Sequence, residues 1–161
     1  MLTLYAMCGL PFAGKTSIAR VLADRTGAAL VRLDAINSER GVGLDGAPIS
    51  DDEWRRTYAE AYARIVRHLS AGQPVVFDHG NFSRAERDHV RALAAQAGAT
   101  IQFVYVPIDE SEARRRLIAN RSMPEREDVR DDNFNLAVRA FEPPYGEPDV
   151  MTFDRLTRDV V

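Results

Sequence analysis

The sequence predicts an α/β fold, a parallel sheet covered by helices on both faces. Three observations predict it. Short apolar runs alternate with amphipathic stretches of helical length along all 161 residues. Strands joined through helices in this way run parallel with right-handed crossovers, which puts helices on both faces of the sheet. Between the first apolar run and the first amphipathic stretch stands Gly9-Leu10-Pro11-Phe12-Ala13-Gly14-Lys15-Thr16, spaced G-x-x-x-x-G-K-T. That is a phosphate-binding loop in its required setting, strand before and helix after.

Leu2 to Cys8 is apolar nearly throughout, as a strand buried on both faces must be. The helix from Lys15 sets Ile18, Val21 and Leu22 on one face and stops near Gly27. Ala28 to Leu33 reads as a second strand ending at Asp34, and a polar, glycine-rich loop follows over Asn37 to Pro48. Ser50 and Glu53 have capping-box spacing. They open a long helix with Trp54, Tyr58, Ala61, Tyr62, Ile65 and Leu69 on one side, closed by Gly72 and Pro74. Val75 to Phe77 is a third strand, running into Asp78-His79-Gly80-Asn81.

Ser83 and Glu86 form a second capping box, for a helix that turns Val90, Leu93, Ala94 and Ala97 inward before Gly98. Ile101 to Pro107 is the fourth strand. Asp109 is the expected cap of a helix holding Ala113, Leu117 and Ile118. The highly charged stretch Asn120 to Asp132 reads as a mobile segment, with a helix after it to about Phe141 that Pro143-Pro144 breaks. Val150 to Phe153 is a short fifth strand. No internal repeat or linker divides the chain, so residues 1–161 read as one domain.

Each position of the loop has a chemical reason. Gly9 and Gly14 reach backbone angles closed to other residues, so successive N–H groups can turn toward one anion. The helix that follows aims its free N–H groups and positive dipole end at the same anion. The whole stretch Gly9, Leu10, Pro11, Phe12, Ala13, Gly14, Lys15, Thr16 and Ser17 is therefore the expected nucleotide cradle. Lys15 supplies a mobile charge for the β- and γ-phosphates, and the Thr16 hydroxyl can ligate Mg²⁺. Phe12 is bulky for such a loop; it packs beside base or sugar, or fills a gap.

Composition excludes other classes of chemistry. A single cysteine, Cys8, rules out an internal disulfide and any zinc cluster built on cysteine. His68, His79 and His89 have no ligand spacing. No apolar run approaches a membrane span and Met1 to Met7 lacks a basic flank, so a cytoplasmic protein is expected. The net charge of −3 argues against general nucleic-acid binding.

Ligands in such sheets bind beyond the carboxyl ends of the strands. Asp34 and Asp78 sit at two of these ends. Asp34 is either a helix cap or the general base that takes a proton from an acceptor hydroxyl. Asp78 is either a turn residue or the acid that supports Mg²⁺. Arg114, Arg115, Arg116, Arg121, Arg126 and Arg130 crowd one helix and the segment after it. Arginine suits a transition state that spreads charge over phosphoryl oxygens, and Arg121 and Arg126 lie in the stretch best placed to move. Asn37, Asn81 and Arg84 are candidates to line an acceptor site; Arg87 is either such a residue or helix surface. Trp54, Tyr58 and Tyr62 at helical spacing read as core rather than a stacking platform.

On these residues the chain resembles the small phosphate-loop kinases, the group of the polynucleotide 5′-hydroxyl kinase domain, the zeta-toxin kinases and chloramphenicol phosphotransferase. The likeness rests on Gly9 to Thr16, on Arg32-Leu33-Asp34-Ala35-Ile36, on Asp78 to Arg87 and on the arginines of Asn120 to Arg126. It implies a P-loop NTPase sandwich of three layers with sheet order 2-3-1-4-5 and an arginine-bearing lid. It further implies ATP with Mg²⁺, Asp34 as base and one lid arginine at the γ-phosphate. Asn37 stands where polynucleotide kinases carry an arginine, which favours a small-molecule hydroxyl over a nucleic-acid acceptor. Three functions are thus expected, in this order: small-molecule kinase, nucleic-acid 5′-hydroxyl kinase, and a nucleotide switch without acceptor.

Overall fold

The computed structural model describes residues 1–155 and 158–160. Its elements are β1 (Thr3–Cys8), α1 (Lys15–Thr26), β2 (Ala29–Arg32), α2 (Leu33–Arg40), a 3-10 turn at Leu44–Gly46, α3 (Asp51–Ser70), β3 (Val75–Asp78), α4 (Arg84–Gln96), β4 (Thr100–Tyr105), α5 (Glu110–Ser122), α6 (Asp131–Ala140), β5 (Val150–Asp154) and β6 (Asp159–Val160). The sheet runs β2-β3-β1-β4-β5-β6. Every pairing through β5 is parallel, so the first five strands have the expected 2-3-1-4-5 order. The antiparallel edge strand β6 was not expected, because two residues carry no readable pattern.

Strand alternation sends side chains to opposite faces. Leu4, Ala6, Val75 and Phe77 go to one face, where Ala61, Ile65 and Leu69 of α3 and Val90 and Ala94 of α4 cover them. Met7, Val76 and Val104 go to the other, under Ala19 and Ala23 of α1. A third cluster, Phe12, Ala113, Leu117 and Phe134, ties the phosphate loop to α5 and α6. Phe12 therefore fills a gap. Among the described residues no helix is long and apolar enough to cross a membrane.

Several local expectations are corrected. Asn37 lies inside α2 and not in a loop, since the chain passes from β2 directly into that helix. Asp34 consequently sits in the first helical turn; Arg32 occupies the cap position. Asp109 stands at the cap of α5 but makes no side-chain capping bond. Val21 and Ile118, expected in the core, are exposed, because α1 and α5 bury alanines and Leu117 instead. Ser50 and Ser83 each accept from the N–H of the glutamate three residues on, but only Ser83 and Glu86 complete a capping box; the Glu53 carboxylate is taken by Arg40.

Gly9 lies at φ 146° and its N–H donates to the Gly80 carbonyl at 3.0 Å. A Cβ there would meet the Val106 carbonyl oxygen at 2.6 Å. Gly9→Ala is expected to destabilise the protein by about 1–3 kcal/mol, through strain at a backbone angle that only glycine adopts freely. Urea unfolding measures it; an unchanged midpoint would mean the loop has room to give.

Candidate active site

The carboxyl ends of β1, β2 and β3 open on a cleft of about 750 Å³, roofed by the segment 126–130 and α6. Lys15 and Thr16, at the first turn of α1, line the end of it beside the Gly9–Gly14 loop. The Lys15 Nζ donates to the Leu10 carbonyl of its own loop at 2.6 Å. Burial pushes the Lys15 ammonium down to about 8, against the pull of Asp78 and with a further push from Arg126. Two arginines brace the loop from outside. Arg116 donates to the Phe12 carbonyl at 3.1 Å, and Arg155 to the Ala13 carbonyl at 2.5 Å.

The Thr16 hydroxyl donates to Asp78 Oδ2 at 2.8 Å. Arg32 Nε donates to the same oxygen at 3.2 Å, which is what the parallel register of Arg32 opposite Asp78 dictates. Thr16 and Asp78 thus present two hard oxygens beside the phosphate loop. That donor set fits Mg²⁺, which takes one or two protein ligands and completes its shell with phosphate oxygens and water.

Asp34 lines the cleft on the β2 side. It is exposed, and its carboxylate makes no hydrogen bond or ion pair among the described residues. Asn37 also lines the cleft, but its Oδ1 accepts from Thr57 at 2.6 Å inside a buried network with Arg40 and Glu53. Asn37 therefore anchors α2 on α3.

The arginines separate. Arg126 lines the cleft with its guanidinium 4.3 Å from the centre of the Phe12 ring. Arg121 does not line it, being held outside by Asp128 and Asp131. Two further candidates lie elsewhere. Asn81 is fully buried, donating to the Met7 carbonyl at 2.7 Å, so it ties the strand ends together. Arg84 pairs with Asp88 on the helix surface. Arg87, read as either an acceptor residue or helix surface, is neither; it is 1% exposed and pairs with Glu147 at 2.7 Å.

Sequence reasoning missed one wall of the cleft. Trp54 and Tyr58 border the cleft as well as packing on the core. The Tyr58 hydroxyl lies 2.9 Å from His79 Nε2, and Glu86 Oε1 is 3.4 Å from both. Burial opposes the charge on Glu86, but the His79 hydrogen bond and the backbone N–H groups of its capping box hold the carboxyl down at about 2. The signal available was spacing: Trp54 and Tyr58 sit in the first two turns of α3, the end nearest the strand termini.

Fold and site together define a phosphate-loop α/β protein. The chain belongs to the AAA_33 family, AAA domain, whose profile matches residues 4–144. Shikimate kinase from Chromobacterium violaceum is 28% identical over 119 residues, 74% of this chain and 63% of that protein. The chain thus spans less than two thirds of the length of this curated relative. A gluconokinase from Sinorhizobium meliloti 1021 has the same fold, with TM-score 0.65 at 21% identity over 94% of this chain and 82% of its own. Kti12 from Chaetomium thermophilum, crystallised with ADP-AlF3, gives TM-score 0.74 at 19% identity over 96% and 93%.

Proposed function

We propose that this protein is an ATP-dependent phosphotransferase that moves the γ-phosphoryl group to a hydroxyl of a small molecule. One observation carries the reading: the unpartnered Asp34 carboxylate lines the same cleft as Lys15 and Thr16. A phosphate cradle alone would serve a switch as well. A free carboxylate in the cleft adds what an acceptor hydroxyl needs, a base to orient it and take its proton. The names of the shikimate kinase relative and the gluconokinase neighbour support a phosphoryl acceptor of small size.

In this reading the acceptor oxygen forms a bond to the γ-phosphorus while the bond to the β,γ-bridging oxygen breaks. The proton goes to Asp34, and ADP leaves. The N–H groups of Gly14, Lys15 and Thr16 hold the β-phosphate, and Lys15 leaves the Leu10 carbonyl for the β- and γ-oxygens. Arg126 is the lid arginine that meets the charge developing on the γ-phosphoryl oxygens. Thr16 and Asp78 are the residues that would hold Mg²⁺, which would supply neutralising charge for the phosphates. The test is transfer of label from γ-labelled ATP to a library of hydroxyl compounds. A labelled product is expected; ATP hydrolysis indifferent to every acceptor would overturn the reading.

Lys15 gives a pH prediction. Its pKa is lowered in the free protein, whereas bound phosphate favours the charged amine. Nucleotide binding should therefore take up a proton above about pH 8, and affinity should fall by up to about tenfold per pH unit beyond that point. Calorimetry in buffers of different ionisation enthalpy measures both. Affinity that stays flat to pH 9.5 would show that Lys15 is already charged in the free protein.

A further inference from the structure

We infer that the acceptor is an amine-bearing alcohol without an acid group, and that Asp51 and Trp54 form the subsite for its ammonium. The inference rests on the kinase reading for the word acceptor, but not for the binding preference itself.

Four cations line the cleft, and all are engaged. Lys15 and Arg126 belong to the phosphate end. Arg32 is spent on Asp78 at 3.2 Å. Arg130 bridges Asp132 at 3.1 Å and the Gly46 carbonyl at 2.8 Å. His79 faces Tyr58 and Glu86. A carboxylate or phosphate on the acceptor would find no uncommitted cation among the described residues.

The opposite charge is in surplus. Asp34, Asp45, Asp51 and Glu127 line the cleft, and their carboxylates have no hydrogen bond or ion pair among the described residues. Desolvating an acid beside unpaired carboxylates is penalised; a desolvated ammonium is attracted. The apolar wall sets where the ammonium goes. Asp51 and Trp54 are one turn apart on α3, both on the cleft. A cation there meets a carboxylate and can lie over the face of an indole, the best aromatic partner for a cation. Val42, Leu44 and Ile49 lie around the same cleft and suit the carbon frame of such a compound.

Trp54 is the only tryptophan of the chain, so its fluorescence reports this subsite directly. Three probes of equal size serve: trans-2-aminocyclohexanol, trans-1,2-cyclohexanediol and trans-2-hydroxycyclohexanecarboxylate. Each is titrated into the full chain saturated with ADP and Mg²⁺. The amine is expected to bind at least about tenfold tighter than the carboxylate, with the diol between them. Asp51→Asn should bring the amine close to the diol. Asp52→Asn, which removes the same charge from the same helical turn but off the cleft, where Asp52 pairs with Arg55, should leave the order intact. Equal binding of amine and carboxylate, or a preference that survives Asp51→Asn, overturns the inference. Label transfer to the same probes is read separately. Amine-selective binding supports the subsite whether or not label is transferred, and the kinase reading is decided by the acceptor library; transfer to the carboxylate in preference to the amine supports the kinase reading while overturning the subsite.

Discussion

Asp34→Asn is expected to lower kcat for phosphoryl transfer by about 10²–10⁴-fold, the range a positioned general base supplies. Asparagine keeps the size of the side chain and its capacity to accept a hydrogen bond, but it cannot take the acceptor's proton. Affinity for the nucleotide should not change, since the proposed phosphate contacts come from the Gly9–Thr16 loop and not from α2. Stability should stay within about 0.5 kcal/mol, because Asp34 is exposed and has no hydrogen bond or ion pair among the described residues to lose. Initial rates with the labelled acceptor, beside a thermal melt of the same variant, separate these effects. An unchanged kcat would remove Asp34 from the chemistry.

The second large effect concerns the fold. Arg87 of α4 is buried against Glu147, with Nη2 donating at 2.7 Å and Nε at 3.2 and 3.1 Å to its two oxygens. Arg87 Nη1 also donates to the carbonyls of Asn81 and Phe82, at 3.0 and 3.1 Å. Arg91 reaches both Glu147 and Asp149 from the next turn. The network joins α4, the segment before β5 and the loop that carries the strand-end residues of the cleft. Glu147→Ala leaves Arg87 buried without its counter-charge, which costs roughly 3–5 kcal/mol. At about 2–4 °C per kcal/mol for a chain of this size, the melting temperature should drop by roughly 6–20 °C.

The double variant Arg87→Met with Glu147→Leu should recover most of that loss, since no charge then remains buried. A single variant that melts like the parent would show that water reaches Arg87. The pair also sets an acid limit. Burial alone would raise the Glu147 carboxyl, but hydrogen bonds from Arg87 and Arg91 hold it below the usual carboxylate range. Its contribution is therefore complete above that range and is lost as pH falls through the lowered value.

The legible part of this protein is the part encoded by neighbours in sequence. Gly9 to Thr16 is legible because the proposed cradle, charge and metal ligand come from eight consecutive residues. The first five strands and the capping serines were equally plain, since their signals are local periodicity and spacing. Asp34 and Asp78 could be placed at strand ends, and hence at the cleft, because a parallel sheet has only one carboxyl edge.

Sequence by itself thus determined the α/β architecture, the phosphate loop and the edge at which the cleft opens. Tertiary structure alone decided which side chains reach that cleft. Arg121 and Arg126 are indistinguishable in a charged run, yet one is captured by Asp128 and Asp131 while the other lies over Phe12. Arg87 has the composition of a surface residue and is buried, because its partner comes from sixty residues further along the chain. Trp54 and Tyr58 carry the spacing of core residues and also border the cleft, because the N-terminal part of α3 lines it as well as covering the core. Each of these turns on distances between remote segments, and such distances exist only after the chain has packed.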